Sequence, residues 1–154
     1  GAGAARNAGI QATTGEILGF LDADDVWTPN SLSLRLAALD GHDAAYGAVE
    51  EFVDPDFEGN HPAPRSLGPA RMAGTMLITR RAWTTTGPIE ESLSVGEFID
   101  WVARFETAGL SAARIDDVVL RRRIHATNTT RGAEAIISTN FLEVARLHRR
   151  RQDS

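Results

Sequence analysis

The chain has 154 residues, 42% hydrophobic and 24% charged, which is the size and mix of one ordinary domain with a real core and gives no case for disorder. Its net charge of −5 argues against nucleic acid or an anionic membrane as an electrostatic partner. The absence of cysteine excludes disulfides, thiolate metal sites and a Cys nucleophile, and the 16 basic residues are all arginine.

Position 1 is Gly, and GAGAARNAGI starts as if in the middle of a motif, so upstream sequence is expected. Residues 4–13 hold good helix formers and no proline, with Gly15 as the expected stop. ILGFL at 17–21 has the length of a buried parallel strand, and the cluster Asp22, Asp24 and Asp25 follows its C-terminal end. Thr28 is then expected to cap a helix with Pro29 at its first position, packed through Leu32, Leu34, Leu36 and Leu39. Residues 44–53 read as a strand, and 54–69, with four of the six prolines, as a long loop. Further on come a strand at 75–79, a short helix at 80–85 and a helix at 96–109 with Phe98, Trp101, Val102 and Phe105 on one stripe. A strand at 118–124 and an amphipathic helix at 134–151 close the chain. Alternating helix and strand predicts an α/β open sheet with helices on both faces. No apolar run reaches the ~18–20 residues of a membrane span and no signal-peptide pattern is present, so the expected location is cytoplasmic.

Ligands of open α/β sheets gather at the carboxyl ends of strands. An Asp-x-Asp there suits a hard divalent cation, Mg²⁺ or Mn²⁺, with Asp22 and Asp24 on the same side of the chain and room left for phosphate oxygens. The same triplet equally fits solvated turn residues, with Asp25 starting the next helix.

The stretch AARNAGIQATTGEILGFLDADDVWTPNSL resembles the central segment of glycosyltransferase family 2, the GT-A-fold nucleotide-sugar enzymes. The resemblance rests on Ala5–Arg6–Asn7–Ala8–Gly9–Ile10, then Gly15–Glu16, the apolar strand, and Asp22–Ala23–Asp24–Asp25 with Pro29. It implies that Asp22 lies near the nucleotide ribose and the metal, that Asp24 is the main metal ligand, and that Arg6 reaches toward the base. Downstream, GTMLITRRAWTTTGPIEESLSVGE looks like the acceptor-side stretch, placing Gly74 beside the donor sugar, and RRRIHATNTT looks like the late segment in which His125 can join the metal. By itself, one His after a strand is more often a surface or capping residue.

Two departures stand out. Inverting members carry Glu-Asp where this chain has Glu97–Phe98, so Glu97 is the candidate base that takes the proton of the acceptor hydroxyl. Asp100 is expected to form a weak surface pair with Arg104. The family's opening strand–helix–strand unit with its V-D-D-G-S motif has no match here, which predicts a single partial GT-A domain over 1–154, a shortened Rossmann-like sheet, and self-association into a homo-oligomer through exposed edges. The processive-synthase signature Q-x-x-R-W is absent, which argues for a single transfer. The implied activity is metal-dependent, inverting transfer from a nucleotide-diphosphate sugar to an acceptor hydroxyl. The competing reading is a non-catalytic nucleotide-sugar and metal-binding module of the same fold. A phosphatase-like or nucleotidyl-transfer enzyme using the acidic cluster would leave the Arg6–Asn7 helix and His125 unexplained.

Overall fold

The computed structural model describes residues 1–58 and 60–126. The helix expected at 134–151 lies outside them. In chain order the elements are α1 (Ala2–Gln11), β1 (Ile17–Gly19), β2 (Val26–Trp27), α2 (Ser31–Ala38), β3 (Ala44–Val53), β4 (Ser66–Pro69), β5 (Met76–Thr79), α3 (Arg80–Thr86), α4 (Glu97–Thr107) and β6 (Ala112–Ile124).

Among the described residues the strands form one mixed sheet, ordered β1-β5-β3-β6-β2, with β4 paired to β3 beside β5. The β3–β6 pair is parallel and the others are antiparallel. Gly47 marks the register shift between β3 and β6: a Cβ there would stand 2.8 Å from the Asp117 carbonyl and 2.6 Å from Val119, so only glycine lets these strands approach.

The main core lies between the sheet and α1, α3 and α4. Ala44, Tyr46, Met76 and Ile78 meet Ile10, Trp83, Phe98, Trp101 and Phe105 there. Trp101 is fully buried, with Trp83 at 5.4 Å, Phe98 at 5.5 Å and Phe105 at 5.6 Å between ring centroids. The i, i+3, i+7 spacing of Phe98, Trp101 and Phe105 turns all three onto one face of α4. A smaller cluster of Val49, Val119 and Leu120 gathers Trp27, Leu67, Met72 and Ile115, and α2 packs against β3, β5 and β6.

Several expectations need correction. The 17–21 run is not a buried parallel strand: β1 pairs antiparallel with β5 at the end of the sheet order, leaving Ile17 and Leu21 exposed. Helix α1 stops at Ala12 rather than Gly15, and Thr28 caps nothing; its hydroxyl donates to the Val118 carbonyl while Asn30 precedes α2. Leu32 and Leu36 are exposed, and the buried face of α2 runs through Ser31, Arg35 and Leu39. Leucines two apart fall on opposite sides of a helix, so an alternating run has no single face to bury. The 54–69 loop contains β4, and the strand expected at 118–124 extends back to Ala112.

Candidate functional site

The three carboxylates that crowd the sequence after β1 are separated in space by a turn, closed by the Asp25 amide donating to the Asp22 carbonyl at 3.1 Å. Each side chain has its own partner. Arg6 Nη2 donates to Asp22 Oδ1 at 2.8 Å, His125 Nε2 meets Asp24 Oδ2 at 2.8 Å, and Asp25 Oδ1 accepts from the Arg123 amide at 3.1 Å. The side-by-side projection of Asp22 and Asp24 expected from strand alternation therefore gives way to divergence toward α1 and the end of β6. The hydrogen bond from His125 holds the Asp24 carboxyl below the usual carboxylate range, whereas burial raises that of Asp25. Asp25 fixes the turn on β6, helped by Arg123 Nε donating to the Asp24 carbonyl at 3.0 Å.

Arg6 also reaches α4. Its Nη1 donates to Glu97 Oε1 at 2.7 Å, with both side chains largely buried. Gly96, at φ 82°, turns the chain into α4 through a left-handed conformation that glycine adopts without strain, and Glu97 follows as the first helical residue. The neighbouring Asn7 amide clamps α1 to the segment before α4 through the Ile89 backbone and the Glu91 carboxylate. One arginine thus joins Asp22 to Glu97, two residues 75 positions apart in a chain of 154.

Phe98 borders this space as well, but its ring is buried against Trp101 and Phe20. Asp100 is not the weak surface partner expected. It is fully buried and accepts from Arg104 Nε at 3.0 Å, while Arg104 also donates to the Thr86 and Pro88 carbonyls.

Gly74 closes the opposite wall. Trp27 Nε1 donates to its carbonyl at 2.8 Å, and a Cβ on it would lie 2.9 Å from Leu120. Its missing side chain therefore accommodates packing against β6, and its backbone borders the cavity. That cavity, about 340 Å³, is bounded by Arg6, the 22–25 turn, Gly74 and the start of α4, so Arg6, Asp22, Asp24, Gly74 and Glu97 share one space. His125 stands on the far side of Asp24, in a second recess with Asp54, Asp56, Phe57 and Glu58. Sequence reasoning missed Arg71 and Arg122, which also border the cavity. Facing Glu51 across β3 and β6, Arg122 could have been found from the matched acidic and basic runs at 50–51 and 121–123.

Among the described residues no three His, Asp or Glu side chains converge as a metal cage. What the site presents is a carboxylate oxygen of Asp24 beside an imidazole nitrogen of His125, while half-exposed Asp22 is turned to Arg6 instead. This hard, mixed donor pair fits attachment of Mg²⁺ or Mn²⁺ at part of its shell, the remainder coming from water or a ligand's phosphate oxygens.

Residues 1–91 match the family described as Glycosyl transferase family 2. The chain belongs to that family, and its open mixed sheet with helices is of the GT-A type. A 32-residue stretch, 21% of this chain, is 62% identical to an uncharacterized glycosyltransferase of Nostoc sp. (strain PCC 7120). The match spans 10% of that relative's length. No described helix is long and apolar enough to cross a membrane.

Proposed function

We propose that the cavity between the 22–25 turn, Gly74 and the start of α4 is the donor site for metal-dependent, inverting transfer of a sugar from a nucleotide-diphosphate donor to an acceptor hydroxyl. The observation that carries this reading is Arg6, whose guanidinium bonds Asp22 and Glu97 at once across the cavity. Asp24 and His125 would hold Mg²⁺ or Mn²⁺, which when bound neutralises charge developing on the leaving diphosphate, and Asp22 would join them only by leaving Arg6. Glu97, oriented by Arg6, accepts the proton of the acceptor hydroxyl as that oxygen bonds to the anomeric carbon. The bond from the anomeric carbon to the diphosphate breaks on the opposite side, giving inversion. Family membership supports the reaction class. We read 1–154 as a single partial GT-A domain.

The test is hydrolysis and transfer measured with a panel of UDP-, GDP- and dTDP-sugars, with and without Mn²⁺. Metal-dependent turnover is expected, reduced at least about 100-fold in Glu97→Gln while donor binding persists. Buried Phe98, standing where inverting members carry Asp, favours a second reading, a binding module without chemistry. Metal-dependent donor binding with no turnover would select it, and neither binding nor turnover would refute both.

A further inference from the structure

The buried face of α2 holds an unusual group. Arg35 is fully buried, and burial lowers its pKa to about 10, so it remains cationic at neutral pH. Among the described residues it pairs with no carboxylate. Its Nε donates to the Ser31 carbonyl at 3.0 Å, Nη2 to the Ser31 hydroxyl at 2.7 Å and Nη1 to the Gly74 carbonyl at 3.4 Å. The guanidinium lies over the Trp27 ring, 4.4 Å from its centroid, and Trp27 donates to the same Gly74 carbonyl at 2.8 Å.

Taking a cation out of water without an anion is costly, and an apolar side chain of similar length would fill this space without that cost. Arg104 shows the usual solution, a partly buried arginine matched by fully buried Asp100. The unmatched charge of Arg35 is instead spent one residue behind the cavity, where Gly74 forms the wall. In this low-dielectric setting its field reaches into the cavity with little screening.

We infer that Arg35 is a positioning residue for the donor site: it holds the Gly74 carbonyl and Trp27 as the cavity wall and places behind that wall the positive charge that a diphosphate group answers. The inference rests on the donor-site reading above and adds to it a residue that does not touch the cavity. Arg35→Met separates this role from a purely structural one. Replacing an unmatched buried charge by an apolar chain is expected to leave the thermal midpoint unchanged or raised. The same change should weaken binding of inorganic pyrophosphate, in the presence of Mn²⁺, by about tenfold or more.

Calorimetric titration with pyrophosphate, alongside uridine as a neutral probe, reads this directly. Arg35→Lys keeps the charge but not the planar fork, and should fall between wild type and Arg35→Met. Trp27→Phe keeps a ring under the guanidinium, drops the bond to Gly74, and should weaken pyrophosphate about threefold. Uridine binding should change little in every variant. If Arg35→Met does not fold, the Lys and Phe variants decide. Equal pyrophosphate affinity in wild type and variants, or equal losses for pyrophosphate and uridine, would overturn the inference and leave the donor site standing. Failure of the wild-type protein to bind pyrophosphate, UDP or GDP would overturn the donor site and the inference together.

Discussion

The aromatic floor beneath α3 and α4 and the polar rim around Arg6 lie against the same helix, yet they are built on opposite terms. At the floor, Trp83, Phe98, Trp101 and Phe105 are buried and satisfied, and even the charged pair Asp100–Arg104 is closed on itself with backbone carbonyls as further partners. At the rim, Asp22 and Asp24 stay half exposed, and Arg6 divides its bonds between two elements. Helix α4 changes character within one turn, from Glu97 at the cavity to Trp101 in the core. The difference separates groups arranged for stability from groups left available to a ligand.

The largest stability effect is expected at the floor. Trp101→Ala removes the centre of the aromatic stack and should cost about 3–5 kcal/mol, read by denaturant unfolding. Asp100→Ala leaves the Arg104 charge buried without its carboxylate, and a loss of about 3 kcal/mol is expected from the same measurement. An intermediate case sits on β3, where hydrogen bonds from Arg65 hold buried Glu51 below the usual carboxylate range. A depressed folded-state pKa contributes stability that is present above the ordinary value of 4.5 and lost as pH falls through and below it. Glu51→Gln should therefore cost about 1–2 kcal/mol at neutral pH and flatten the fall in thermal midpoint below that pH. The smallest stability effect is expected at the rim: Asp24→Asn, at an exposed and partly screened pair, should change stability by about 0.5 kcal/mol or less while impairing ligand binding. A rim variant that unfolds the protein, or a floor variant that removes binding without destabilising, would break the contrast.

Much of the floor was legible in the sequence because helical spacing reports burial directly. The Phe98–Trp101–Phe105 stripe and the uninterrupted run of β3 both follow from local periodicity. What periodicity does not carry is partnership. β2 is two residues long and exists because Val26 and Trp27 pair with β6 about 95 positions later. The leucines of α2 drew attention away from Ser31 and Arg35, whose burial depends on Gly74 and Trp27 accepting a guanidinium between them. At the rim, the family resemblance named Arg6, Asp22, Asp24, Gly74 and Glu97, and it is the fold that brings all five to one cavity. The tie from Arg6 to Glu97 was not legible, because it joins segments separated by 91 residues, whereas Asp24 and His125, 101 residues apart, were associated only through the resemblance.

The most direct test of the donor-site reading is calorimetric titration of the protein and of Asp24→Asn with UDP and with GDP, each with and without Mn²⁺. The account predicts nucleotide binding that requires the metal and weakens at least about tenfold in the variant, whose thermal midpoint stays near that of wild type. Binding indifferent to both Mn²⁺ and Asp24, or no binding of either nucleotide, would contradict it.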